Sequence, residues 1–246
     1  MSAPTLIFAP GAWYPPTVFD SIIAKLPEYR CRTVAFPSIQ SATRISDLQP
    51  DIDAVRRIVD QEAEEDHDII VILHSWAGLP VSSALEGLSK SERQTKGRKG
   101  GIVKLLFIAA FIPILGESLI GAFGGTPPSW YIRDESNGTV TAHDPHGLFF
   151  HDVPNGAEWA KALAPHAWAT KIAPAAGVAY MTIPCAYLLC KNDRAIPFAV
   201  QQRLVDRARE GGAQFEAEVI ETGHTPWLAA PDQFVAYIKK HAMPRV

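Results

Sequence analysis

Three residues in this sequence, Ser75, Asp193 and His224, are of the types that together perform nucleophilic acyl transfer: a hydroxyl to attack, an imidazole to take its proton, and a carboxylate to orient the imidazole. Each follows a short apolar run. Ser75 stands in His74-Ser75-Trp76-Ala77-Gly78 directly after Ile69–Leu73, where a strand pattern turns into a helical one. Asp193 stands in Lys191-Asn192-Asp193-Arg194-Ala195-Ile196-Pro197 after Ala186–Cys190. His224 stands in Glu221-Thr222-Gly223-His224-Thr225-Pro226-Trp227 after Phe215–Ile220. Singly, each has a plainer reading: Ser75 or Asp193 as a helix cap, His224 as a loop histidine. Together they run Ser, Asp, His, each after a separate strand. On a parallel sheet that order puts all three at one edge, where open α/β folds bind ligands. A tight turn at such a nucleophile wants small residues two positions to either side; Ala77 meets that requirement and Leu73 does not.

The elements that must hold these residues alternate along the chain. Candidate strands are Thr5–Ala9, Arg32–Phe36, Ile69–Leu73, Val103–Ala109, Ala186–Cys190 and Phe215–Ile220, several of them near-continuous apolar runs of the kind covered on both faces. Candidate helices are Thr17–Leu26, Ile52–Glu64, Gly78–Leu88, Pro197–Glu210 and Pro231–His241, with Asp51 placed to cap the second and Pro197 to open the fourth. The pattern is that of an α/β protein, a mostly parallel sheet with helices on both faces. Between residues 111 and 182 the alternation stops. That stretch is rich in Pro, Gly and aromatics, with short helices expected near Ala157–Leu163 and Ala167–Ile172. So many large apolar side chains in an irregular insertion need a surface to cover, and the stretch reads as a lid. The expected division is therefore a core of 1–110 and 183–246 with an inserted cap or lid, 111–182.

The composition of the 246 residues, 47% hydrophobic and 20% charged, is that of one globular domain with a large core. A net charge of −3, from 23 Lys+Arg against 26 Asp+Glu, argues against affinity gained by neutralising phosphates, so no nucleic-acid partner is expected. The basic cluster Lys90–Lys99 is interrupted by Glu92 and Gly97 and reads as a solvated connecting loop. Cys31, Cys185 and Cys190 are too few and odd in number for a disulfide framework and suggest a reducing compartment. There is no basic leader before the first apolar stretch, and the longest apolar run, Leu105–Leu115, falls short of the ~20 residues that span a bilayer. The expectation is a cytoplasmic protein without a membrane partner; a homodimer stays open. His143, His146 and His151 lack metal-ligand spacing, so neither metal nor cofactor is expected, and His74 reads as a packed core histidine.

On Ala9-Pro10-Gly11-Ala12-Trp13 after the first strand, His74-Ser75-Trp76-Ala77-Gly78, Asp193 and Gly223-His224, the chain resembles the α/β-hydrolase fold enzymes. The branch is that of plant methylesterases, hydroxynitrile lyases and related small esterases, and the resemblance spans nearly the whole chain. In that family the first loop usually reads His-Gly-Ala-Trp; Pro10 stands where the His would be, while Gly11 still allows close backbone approach. The resemblance implies an oxyanion hole from the backbone N–H groups of Ala12 and Trp76, and a serine mechanism through an acyl-enzyme. The expected substrate is a carboxylic ester or lactone of a small to medium hydrophobic molecule, held in an apolar pocket. Trp13, Trp130, Tyr131, Phe150, His151 and Ile196 are its expected substrate-binding residues, His151 reaching down from the lid. Two other classes stay open on the same scaffold: a hydroxynitrile-lyase-like or cyclisation catalyst using the same residues as a proton relay, and a ligand receptor without turnover.

Overall fold

The computed structural model describes residues 3–243; residues 1–2 and 244–246, which belong to the expected core, lie outside the described residues. Nine strands are described: β1 (Thr5–Ala9), β2 (Cys31–Thr33), β3 (Asp68–His74), β4 (Gly101–Ile108), β5 (Tyr131–Asp134), β6 (Thr139–Ala142), β7 (His166–Ala167), β8 (Cys185–Cys190) and β9 (Phe215–Ile220). Six of them form one sheet in the order β2-β1-β3-β4-β8-β9, every pairing parallel. The chain steps from β1 outward to β2 and then back across to β3, so the order reverses between β1 and β3. A crevice opens at such a reversal, beyond the carboxyl ends of the strands, and the loop after β1 and the turn after β3 both empty into it.

The apolar runs dictate this arrangement. Every residue of β1 and β8 is buried, and so is β3 from Ile69 onward, which requires cover on both faces. The helices present one apolar seam each: Ile52, Val55 and Val59 on Gln49–Glu64, Leu204, Val205 and Ala208 on Phe198–Glu210, and Phe234, Tyr237 and Ile238 on Pro231–Ala242. Among the described residues, no helix is long and apolar enough to cross a membrane.

Several boundaries differ from those the pattern suggests. The second strand is the edge strand Cys31–Thr33, because the chain leaves the sheet before Pro37 opens a short helix. Thr17–Leu26 divides into a 3₁₀ turn, Pro16–Phe19, and a short helix, Asp20–Ile23. The helix expected from Ile52 begins at Gln49, which places Asp51 inside its first turn, where its carboxylate accepts the Ser38 N–H instead of capping. Pro197 is the residue before the next helix and Phe198 opens it. Lys90–Lys99 is not a plain loop: Lys90–Thr95 is helical, with a reciprocal Ser89/Glu92 capping box, and Arg93 is buried against the Gly100 and Ala63 carbonyls. The insertion between β4 and β8 is also more ordered than its composition suggests. It holds a three-stranded antiparallel sheet, β5-β6-β7, beside short helices that include Pro145–Phe149, Gly156–Lys161 and Ala169–Ile172.

Candidate active site

Ser75 begins the turn between β3 and the helix Gly78–Ala84, and its backbone is left-handed, φ +55°, a conformation costly for a residue with a Cβ and found where a site over-determines it. The turn is pinned from the insertion side: Phe111 N–H donates to the Ser75 carbonyl at 3.1 Å, and a Cβ on Gly78 would fall 1.8 Å from the Phe111 carbonyl oxygen. Close packing is thus relieved at Gly78, one position beyond Ala77, and Leu73 remains a fully buried strand residue.

The three sequence-distant stretches meet. His224 Nε2 lies 3.0 Å from Ser75 Oγ, and His224 Nδ1 lies 2.7 Å from Asp193 Oδ2. All three residues are buried. The Asp193 carboxylate also accepts the Ala195 and Ile196 N–H groups at 2.8 and 2.9 Å and the Gln201 amide at 3.2 Å. With a carboxylate as its acceptor, Nδ1 carries a proton, and Nε2 is then free to accept from the Ser75 hydroxyl.

The His224 loop is held on both sides. His74 Nε2 donates to the His224 carbonyl at 3.0 Å, and the Gly223 N–H donates to Asp152 from the insertion. Burial, joined by the neighbouring His224 ring, holds His74 well below the usual imidazole range, so it is a neutral positioning donor. Gln201 was not visible as a site residue in the sequence. It closes the Asp193 loop by accepting from Cys190 N–H and donating to the Cys190 and Ile196 carbonyls. A polar residue on the buried seam of Phe198–Glu210 is the only signal that points to it.

Ala12 and Trp76 both line the pocket that contains Ser75. A Cβ on Gly11 would lie 2.6 Å from His74 Nδ1 and 3.0 Å from Ser75 Cβ, so only glycine lets this loop approach the serine. Trp76 lies in the first turn after Ser75, where backbone N–H groups have no intrahelical acceptor.

A pocket opens on Ser75 and His224. Of the six expected substrate-binding residues, Trp13, Trp130, Tyr131 and Ile196 line it. Phe150 does not: it is fully buried in the core against Tyr14 and Phe149. Nor does His151, whose ring packs behind Gly223 rather than reaching down to the serine. Phe149 takes the place expected of Phe150, and Phe111, Leu119 and Phe123 complete the wall. The free volume is about 20 Å³, room for roughly one water. A larger cleft, about 1030 Å³, lies at the opposite ends of the strands, beside Pro4, Asp68 and Pro184, away from these groups. Among the described residues, Glu62, Glu65 and His67 have metal-ligand spacing, but the Glu62 carboxylate already accepts from Arg32, Arg30 and Thr5.

A parallel sheet whose order reverses at the serine turn, with serine, aspartate and histidine contributed after β3, β8 and β9, defines the class of α/β hydrolases. The alpha/beta hydrolase family model matches residues 6–237, and the chain belongs to that family. It is similar to the alpha/beta hydrolase nvfD of Aspergillus novofumigatus, 29% identical and covering 98% of each chain. It is also similar to the probable hydrolase R7 of a Phoma species, 27% identical over 95% of this chain and 96% of the other. In fold it matches a pyrethroid hydrolase from Sphingobium faniae JZ-2, with TM-score 0.75, 14% identity and 97% of each chain covered.

Proposed function

We propose that this hydrolase cleaves carboxylic esters or lactones of small to medium hydrophobic molecules, with Ser75 as nucleophile, His224 as general base and acid, and Asp193 as the group that orients His224. The observation that carries the reading is the unbroken chain Ser75 Oγ, His224 Nε2, His224 Nδ1, Asp193 Oδ2, at 3.0 and 2.7 Å, opening into an aromatic pocket. His224 takes the hydroxyl proton as Ser75 attacks the carbonyl carbon, and the resulting oxyanion falls to the Ala12 and Trp76 N–H groups. The imidazolium, stabilised by Asp193, then protonates the leaving alcohol. Water hydrolyses the acyl-enzyme by the reverse proton path, which restores Ser75.

In this reading, residues 111–182 act as a cap, and Trp130, Tyr131 and Phe149 must shift to admit any ester, because the pocket as it stands holds about one water. The enclosing groups are apolar or neutral, which suits an uncharged substrate. The test is turnover of p-nitrophenyl acetate and butyrate by the wild type and by Ser75→Ala. Loss of the nucleophile lowers kcat by on the order of 10⁶; an unchanged rate removes Ser75 from the mechanism. Failure of a fluorophosphonate to modify a protein that still turns over its substrate would favour the lyase or cyclisation class.

A further inference from the structure

A second buried polar chain lies beside the pocket, and the acyl-transfer steps do not use it. Lys171, on the helix Ala169–Ile172 of the insertion, is fully buried, as are His166 in β7, Ser38 and Asp51. Lys171 Nζ lies 2.7 Å from His166 Nδ1, and His166 Nε2 lies 2.7 Å from Ser38 Oγ. The Ser38 N–H donates to Asp51 Oδ1 at 3.0 Å, and the Ser38 hydroxyl also favours the Asp51 carboxylate. An ammonium can only donate, which leaves the His166 proton on Nε2, facing Ser38. One end of the chain is thus a cation and the other a carboxylate in the first turn of the helix Gln49–Glu64, where the helix dipole favours negative charge.

The ammonium has two further acceptors, both of them rings. Lys171 Nζ lies 5.0 Å from the centre of the Trp13 ring and 4.8 Å from that of Trp76, both inside cation–π range. Three donors therefore meet one imidazole nitrogen and two π faces. Burial holds the Lys171 amine well below the usual lysine range, and the nearby Asp51 carboxylate offsets this only in part, so the charge depends on the partners that surround it. These two rings belong to the stretches that carry the oxyanion amides: Trp76 bears one, and Trp13 follows Ala12, which bears the other. Trp13 also sits in a left-handed conformation, φ +72°, that needs holding. The insertion holds it: the indole N–H donates to the Val140 carbonyl at 2.8 Å, and the Trp13 carbonyl accepts the Ala164 N–H at 2.9 Å.

We propose that Lys171 is a positioning residue: its ammonium, seated on His166 and balanced through Ser38 by Asp51, clamps the Trp13 and Trp76 rings and so fixes the two amides that receive the oxyanion. The inference rests on the ester-hydrolase reading above. It makes the insertion part of the oxyanion site as well as a cover.

The test compares wild type, Lys171→Met, Asp51→Asn, a Lys171→Met/Asp51→Asn double variant and Ser75→Ala at pH 8 with p-nitrophenyl butyrate, alongside their melting temperatures. Replacing a buried charge pair as a whole is commonly neutral or stabilising, whereas removing one partner strands the other and is destabilising. Lys171→Met is therefore expected to melt below the wild type and the double variant to recover part of that loss, while in both kcat falls about 10- to 100-fold and KM stays within about 3-fold. Melting that recovers in the double variant while kcat stays low is a result that a merely structural role would not give. A kcat within about 2-fold of wild type, or a loss confined to KM, overturns the clamp. Should Lys171→Met not fold, Asp51→Asn decides: a lowered kcat at unchanged KM supports the proposal, and an unchanged kcat overturns it. Ser75→Ala separates the two claims. If it stays active, the ester-hydrolase reading fails; if it is inactive beside a fully active Lys171→Met, only the clamp fails.

Discussion

Gly11→Ala probes the site at its narrowest point. The new Cβ would lie 2.6 Å from His74 Nδ1 and 3.0 Å from both His74 Cε1 and Ser75 Cβ, against an ordinary contact of 3.4 Å or more. A separation of about 0.8 Å has to be made up somewhere. His74 is poorly placed to give way, because its Nε2 is bonded to the His224 carbonyl at 3.0 Å and its ring stands edge-on to Trp227 at 4.6 Å. The loop that carries Ala12 must retreat instead. An oxyanion donor works at about 2.7–3.1 Å, so a retreat of that size takes the Ala12 N–H out of hydrogen-bond range. Loss of one such donor costs about 10²–10³ in kcat, while the strain of overpacking costs about 1–3 kcal/mol of stability. The assay is steady-state hydrolysis of p-nitrophenyl butyrate with a parallel urea melt. The expected outcome is a folded variant with kcat down about 10²-fold and KM within about 3-fold, because the ground-state carbonyl gains little from the amide. A folded Gly11→Ala with wild-type kcat refutes the placement of the oxyanion at Ala12.

Two further outcomes follow from buried polar groups. Gln201→Leu leaves the Cys190 N–H and the Cys190 and Ile196 carbonyls without their partner and takes a donor from Asp193. It should lose about 2–4 kcal/mol in a urea melt and lower kcat, and a wild-type denaturation midpoint contradicts this. Asp51 is fully buried, and burial, only partly offset by its bonds from Ser38, raises its carboxyl from 3.8 to about 6. Between about pH 4 and 6 the folded protein keeps a proton that the unfolded chain has lost, so stability present below pH 4 falls by about 3 kcal/mol as pH rises through 6. Asp51→Asn should flatten that decline in urea melts taken at successive pH values; parallel profiles for the two proteins contradict it.

The strands that carry chemistry were legible because their apolar runs are long and their loops are marked. Thr5–Ala9 and Phe215–Ile220 have the bounds that the pattern suggests, and the loops holding Ser75, Asp193 and His224 emerge at one sheet edge. What stayed hidden had no apolar period. β5 reads Tyr-Ile-Arg-Asp, mostly exposed, and its pairing with β6 becomes visible only when the insertion folds back on itself. The helix Lys90–Thr95 is short and charged, so its capping box was its one signal, and the burial of Arg93 comes from a tertiary contact with the Gly100 and Ala63 carbonyls. Phe149 and Phe150 are adjacent in sequence, and nothing local says which faces the pocket; the turn at the end of Pro145–Phe149 decides it. Gln201, Lys171 and Asp51 are polar residues on buried faces, and their partners lie on other elements, which no spacing rule reveals.

The claim on which the rest depends is that the Ser75 hydroxyl is the attacking group and that His224 activates it. Labelling the intact protein with a fluorophosphonate, followed by intact mass and peptide mapping, tests both. The prediction is one adduct, on the peptide that carries Ser75, absent from Ser75→Ala and slowed by on the order of 10³ or more in His224→Ala. A folded, active protein that takes no adduct, or takes it elsewhere while Ser75 stays free, contradicts the account.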